Sequence, residues 1–196
     1  PMLALPFFML AGSLMMGGRL GNELITFASE FMKRFTGGEL STTVVASAVF
    51  GGVSGSAVAN SSALGPVLIP WQKRCGYPAG LCAANMATSS VLDILIPPSI
   101  PMILYSLISG VSVADLFMAG VLPGLLMAAS FIFLCWWISR RRGYKNTGSV
   151  IGKRELFRLA LKSLPALVMP VWILVFLRFG VATPTEVAVL AVILAG

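Results

Sequence analysis

The stretch Ile96-Pro97-Pro98-Ser99-Ile100-Pro101 sits inside the apolar run Ala83–Ser109, which is long enough to cross a bilayer but is interrupted near its middle. Each proline lacks the amide that would bond four residues back, so the carbonyls of Asp93, Ile94 and Pro97 lose their helical partners. In hydrocarbon an unpaired backbone oxygen costs several kcal/mol, roughly, unless protein, water or a bound ion satisfies it. A helix broken at membrane depth therefore points to a cavity, and in transporters such breaks form binding sites.

Composition sets the same frame. Of 196 residues, 57% are hydrophobic and 11% are charged, whereas a soluble domain carries about a quarter charged residues. The chain reads as an all-α polytopic membrane protein. Its formal charge of +7 does not indicate nucleic-acid binding, because the basic residues fall in short clusters between apolar runs, as membrane topology requires. Cys75, Cys82 and Cys135 lack metal-ligand spacing and the chain has no histidine, so a zinc or haem site is not expected. With no nucleotide-binding loop and no nucleophile–base pair, the expected energy source is an ion gradient, and the chain does not read as an enzyme. It opens inside one apolar run, Pro1–Met16, and stops inside another, Val187–Gly196, so it reads as a piece of a longer protein.

Outward from the proline break, the segments fall into order. Pro1–Gly18 is apolar. Leu20–Phe35 sets Leu24, Ile25, Phe27, Ala28, Phe31, Met32 and Phe35 against Glu23, Glu30, Lys33 and Arg34, a pattern that suits a helix lying in the membrane interface. Ser41–Arg74 opens with the capping hydroxyls of Ser41-Thr42-Thr43 and is divided by Gly51-Gly52-Val53-Ser54-Gly55-Ser56. Each of its halves is short of the roughly twenty residues needed to span. Leu116–Ile138 spans and ends at Trp136-Trp137, with Arg140-Arg141-Arg142 as its anchor. A basic loop covers 139–162, Leu164–Phe179 spans again, and Thr183-Pro184-Thr185-Glu186 opens a last segment.

Charge decides topology. With the 139–162 loop in the cytoplasm, counting back through two spans returns Lys73-Arg74 to the same side. Lys33-Arg34 is also basic, so the chain between these clusters crosses an even number of times. Its halves are too short to cross twice, and the segment 41–74 is expected to dip in and return as a re-entrant hairpin with its tip at Ser54-Gly55-Ser56. Arg178 then lies outside.

The expected site joins hairpin tip and broken helix. The first half-helix brings carbonyls, suited to a cation, and the second presents amides, suited to a carboxylate. Gly51, Gly52 and Gly55 allow close approach, while Ser54, Ser56 and Asn60 add oxygen ligands and donors. Pro97, Pro98 and Ser99 supply freed carbonyls and a hydroxyl. Oxygen-only ligation fits a hard cation, Na⁺, held near Ser54, Ser56 and Ser99. The same residues have a packing reading: Gly51/Gly55, Gly76/Gly80 and Gly120/Gly124 all fit the small-xxx-small pattern of helix contacts. Asp93 is the one acid within a spanning segment. A mid-bilayer charge costs about 2.5–3.5 kcal/mol on insertion scales, so it should face a polar interior, where it can ligate an ion, carry a proton or cap the broken helix. Asn60-Ser61-Ser62 matches a glycosylation sequon by chance.

The run Gly51-Gly52-Val53-Ser54-Gly55-Ser56-Ala57, then Cys75-Gly76-Tyr77-Pro78, Ile96-Pro97-Pro98-Ser99-Ile100 and Leu116-Phe117-Met118-Ala119-Gly120-Val121-Leu122-Pro123-Gly124 resembles the large membrane subunit of tripartite ATP-independent periplasmic (TRAP) transporters, the dicarboxylate and sialic-acid uptake family. Thr183-Pro184-Thr185-Glu186 resembles the opening of that family's second half. The resemblance implies a multi-pass protein of the bacterial inner membrane with an elevator-type transporter fold, of which this chain is the first inverted repeat. Residues 1–40 would hold a transmembrane helix and the arm helix, 41–110 half of the transport domain (hairpin 41–74, broken helix 83–109), 111–180 scaffold-type helices, and 181–196 the start of the second repeat. It further implies Na⁺-driven import of a C4-dicarboxylate, sialic acid or another carboxylate, delivered by a periplasmic binding protein and assisted by a small membrane subunit. Ser90-Val91-Leu92-Asp93 departs from the family's small, glycine-rich version of this stretch. The rival readings are a divalent-anion/Na⁺ symporter that needs no binding protein, and a non-transporting membrane scaffold.

Overall fold

The computed structural model describes residues 4–17, 19–144, 152–179 and 182–195. Their regular elements are ten helices: α1 (Ala4–Gly17), α2 (Arg19–Met32), α3 (Gly38–Ser54), α4 (Ala57–Arg74), α5 (Ala79–Ser89), α6 (Leu92–Leu95), α7 (Ile100–Ser109), α8 (Val113–Arg142), α9 (Lys153–Arg178) and α10 (Pro184–Ala195). The centre is α3, against which α1, α2, α4, α5, α6, α8 and α9 all pack. Its Ala46 and Phe50 enter an apolar cluster with residues of α1, α4, α9 and α10, and its Leu40 and Val44 enter a second cluster with Leu92, Ala128 and Cys135.

The segment 41–74 does form a hairpin. Near its base, Gln72 Nε2 donates to Glu39 O and Thr43 Oγ1, each at 2.7 Å, and nearer the tip Ser47 Oγ donates to Asn60 Oδ1 at 3.3 Å. These bonds make α3 and α4 antiparallel. The reversal takes two residues: Gly55 adopts φ 59, which ends α3, and Ser56 is extended and caps α4 by accepting from Ala59 N at 3.4 Å. The capping expected at Ser41-Thr42-Thr43 is not found. The helix starts a turn earlier, where Gly37 takes φ 77 and Glu39 lies in the first turn; Thr42 Oγ1 instead donates back to Gly38 O at 2.8 Å. The halves are accordingly longer than expected, 17 and 18 residues, or about 26–27 Å, still below the ~30 Å of hydrocarbon.

The broken helix begins at Ala79 rather than Ala83, after Pro78, and carries an extra interruption at Ser90-Val91 before the single turn of α6. Residues 96–99 leave the helix, the Pro97–Pro98 bond is cis, and α7 restarts with its axis bent by 40°. α8, with 30 residues, is long and apolar enough to cross a membrane unaided. The 139–162 loop is narrower than expected: 139–142 complete α8 and 153–162 open α9, so α9 also starts well before Leu164, while 145–151 lie outside the described residues. Arginines in a last turn complement the helix dipole, which is why Arg140–Arg142 remain helical. At α10, Thr183 N donates to Glu186 Oε2 at 2.7 Å and Glu186 N to Thr183 Oγ1 at 3.4 Å, a reciprocal cap behind Pro184.

α2 splits its apolar residues between two faces. The helix ends at Met32 rather than Phe35; Leu24, Ala28 and Met32 are buried, while Phe27 and Phe31 continue into Phe35 of the following turn as an aromatic row with centroids 6.1 and 6.3 Å apart. Of the small-residue pairs, Gly120/Gly124 pack against Leu95, Ile96 and Met102, and Gly51/Gly55 against the broken helix; nothing comes within 4 Å of a methyl placed at Gly76 or Gly80.

Three basic clusters meet at one end of the bundle. A methyl at Gly37 would lie 2.6 Å from Ser139 Oγ, the Tyr77 and Tyr144 rings are 4.6 Å apart, and the Gln72–Glu39 bond joins the two ends of the hairpin. These contacts bring Lys33-Arg34, Lys73-Arg74 and Arg140–Arg142 to one end of the bundle. Gly37→Ala should be among the more damaging single-methyl changes, since it strains a left-handed residue and drives Cβ to 2.8 Å from Cys135 O as well. A loss of about 1–3 kcal/mol is expected, read as a lower unfolding temperature of the full-length protein in detergent, with Gly80→Ala as the silent control.

Candidate functional site

The hairpin tip lies on the break. Ile100 N, the first amide of α7, donates to Gly55 O at 3.4 Å, so the two interrupted helices bond each other through backbone. Contact is close enough to need glycine: a methyl at Gly55 would sit 2.6 Å from Pro98 O, and one at Gly51 would sit 2.8 Å from both Asp93 Cα and Asp93 Oδ1. Gly52 lies between Pro170 of α9 and the break: a methyl there would sit 2.2 Å from the Pro170 ring and 3.5 Å from Pro97 O.

Asp93 is fully buried and joins the two elements. Asn60 Nδ2 donates to its Oδ1, and Ser54 Oγ donates to its Oδ2 at 3.2 Å. Asn60 is itself fully buried and tied to Ser47, so hairpin, tip and broken helix share one polar network. Asp93 lies in the first turn of α6, and its carboxyl takes side-chain donors from α3 and α4. The burial of Asn60 also removes the sequon from reach of any modifying enzyme.

The break repairs part of its own damage. Ser99 Oγ donates to Ile94 O at 2.7 Å, replacing the amide that Pro98 lacks. The expectation that Ile94 O is left open is therefore corrected, and a hydroxyl five residues on is the reason. Ser99 Oγ keeps its lone pairs as possible ligands. Ser54 Oγ also accepts from Ser56 N at 3.2 Å, which fixes the tip turn.

A cavity of about 320 Å³ opens beside the tip, lined by Ser54, Ser56, Ala59 and Ser62 of the hairpin and by Met9, Gly12 and Ser13 of α1. Among the residues singled out from sequence, only Ser54 and Ser56 reach its wall. Asn60, Asp93, Pro97, Pro98 and Ser99 are buried behind it and hold the tip in place. Sequence reading missed the α1 contribution, for which Gly12-Ser13 inside an apolar run was the available signal; a methyl at Gly12 would lie 3.0 Å from Ser54 Cα. At the cavity, the N-terminal turn of α4 supplies amides and the positive end of its dipole, the arrangement that receives a carboxylate. The carbonyl end of α3 and the hydroxyls of Ser54 and Ser56 are hard oxygen donors. No group of three or more His, Cys, Asp or Glu residues able to hold a metal occurs among the described residues.

The described helices thus dock a hairpin tip on a proline-broken helix. Residues 1–195 match the family described as "Tripartite ATP-independent periplasmic transporter, DctM component", and the chain belongs to that family. It is 70% identical, over 98% of its length, to an uncharacterized protein of Sinorhizobium fredii, of which it covers 46%. It is 33% identical to the 2,3-diketo-L-gulonate TRAP transporter large permease protein of Escherichia coli, over 97% of this chain and 44% of the relative. With the sialic acid TRAP transporter permease protein of Haemophilus influenzae it shares 35% identity over 97% of this chain and 31% of the relative. The chain thus spans about half the length, or less, of the curated relatives it matches.

Asp93→Ala should loosen the tip, because it strands the buried donors of Asn60 and Ser54 at about 1–3 kcal/mol for each unsatisfied group. The double variant Asp93→Ala/Asn60→Ala should cost less than the sum of the two single changes. Denaturation of the full-length protein, read as a double-mutant cycle, checks this; strict additivity would mean that the two side chains do not bond.

Proposed function

We propose that this chain is the first half of the large permease subunit of a Na⁺-driven secondary transporter that imports an organic anion across the bacterial inner membrane. A periplasmic binding protein delivers the anion and a small membrane subunit completes the permease. The observation that carries the reading is the docking of the Gly55 tip on the Pro97-Pro98 break, with Ile100 N bonded to Gly55 O. Two discontinuous helices that meet in this way supply both kinds of helix end at one place.

Ser54 and Ser56 face the cavity and offer hydroxyls to the anion or to Na⁺, and the α4 amides face the anion's carboxylate. Na⁺ is held by backbone carbonyls and hydroxyls near Ser54, Ser56 and Ser99, with the buried Asp93 carboxyl bonded behind them. Gly51, Gly55, Pro97 and Pro98 shape the backbone that presents these oxygens. Binding the cation first lowers the electrostatic cost of bringing in the anion, which couples the two. The second repeat supplies the rest of the site. Relatives named for sialic acid and 2,3-diketo-L-gulonate support a carboxylate cargo.

Uptake by proteoliposomes carrying the full-length protein with its small subunit tests this reading. Flux should require both Na⁺ and the binding protein. Flux that needs Na⁺ alone would favour a simple symporter, and no flux at all would favour a scaffold. Ser56→Ala, which removes a helix cap, and Pro98→Ala should each lower uptake by roughly fivefold or more, on the scale of about 1 kcal/mol, with less effect on expression. Unchanged uptake in both would remove these residues from the site.

A further inference from the structure

We propose that the groove between α2 and α8 holds an anionic glycerophospholipid, with an acyl chain along its apolar floor and the phosphate at Arg140 and Arg34. The groove encloses about 480 Å³, within the roughly 300–1,000 Å³ of small-molecule sites. One wall is Phe31 and Phe35 of the outer aromatic row, and the other is Ile132, Phe133 and Trp136 of α8. Phe35 is 55% exposed and Phe133 60% exposed, although both line a formed concavity. Such an apolar channel accepts a hydrocarbon chain and offers little to a polar ligand.

The occupant's headgroup follows from the mouth. Arg140 Cζ lies 5.3 Å from the centre of the Trp136 ring, so the groove wall itself holds a guanidinium in place. Arg141 stands over Trp137 in the same way, also at 5.3 Å. The close approach of Gly37 to Ser139 brings the Lys33-Arg34 corner to this end of α8. Lys33 is paired with Glu30, Arg140 is exposed beside the groove-lining Trp136, and Arg34, also exposed, directly precedes the groove-lining Phe35 in the chain. A guanidinium binds phosphate through two parallel N–H donors, which a zwitterionic headgroup with its own ammonium satisfies less well. Aromatic rings at the mouth match the level of lipid headgroups. The site joins α2 to α8, and α8 also packs with α3, α6 and α7, so its lipid would sit beside a helix that contacts the broken segment.

The test is the lipid retained by full-length protein purified from the bacterial membrane in mild detergent, quantified by native mass spectrometry. Phosphatidylglycerol or cardiolipin should be retained in preference to phosphatidylethanolamine. Arg34→Gln/Arg140→Gln should lower that retention roughly tenfold or more. Ala129→Trp, which fills the groove floor, should lower retention of both lipid classes, and Arg178→Gln, at the far end of α9 from the basic connection, should leave it unchanged. Equal retention by wild type and the double arginine variant would overturn the proposal even if Ala129→Trp failed to fold. So would equal retention of the zwitterionic lipid, or loss of bound lipid when the small membrane subunit is present, which would mean that a protein covers the groove.

Discussion

Asp93 accepts hydrogen bonds from Asn60 and Ser54, and the arrangement of the site depends on that pair. A carboxylate taken out of water is tolerated only when its oxygens are bonded, and here the donors come from both arms of the hairpin. The consequence is positional. The tip cannot leave the broken helix without stranding a buried acid, an amide and a hydroxyl together. Glycine at positions 51 and 55 makes this possible, because a methyl at either would collide with Asp93 or with Pro98. The packing and site readings of these glycines are therefore one property: close approach is what lets the two interrupted backbones bond.

Behind the tip, the chain closes its own gaps where it can. Ser99 Oγ serves Ile94 O, Ser56 caps α4, and Glu186 and Thr183 cap α10 reciprocally. What remains for a ligand is the ring of hydroxyls and first-turn amides that faces the cavity against α1. The polar groups of the site thus divide into those spent on holding the architecture and those turned toward the cavity. That division explains why Asn60 and Asp93, although polar and central, are absent from the cavity wall.

The basic end of the bundle follows a separate logic. Three clusters far apart in sequence converge through the Gly37–Ser139 approach, the Tyr77–Tyr144 ring pair and the Gln72–Glu39 bond. A membrane protein concentrates such charge on one side, and the aromatic residues beside it mark the headgroup level.

Helix breaks and hairpin were legible in the sequence because they rest on local chemistry: proline removes an amide and glycine permits a left-handed turn. Family membership was legible for the same reason, through short motifs at those breaks. Helix boundaries were less so. Ser41-Thr42-Thr43 looked like a cap, but Gly37 is pulled against Ser139 and starts α3 a turn sooner, and the arginines after Ile138 continue α8 where a loop was expected. The partners of Asp93, the repair of Ile94 O by Ser99 and the α1 wall of the cavity were decided only by tertiary structure. Each depends on side chains from separate helices reaching within hydrogen-bond or van der Waals distance, and spacing along one chain carries no record of that.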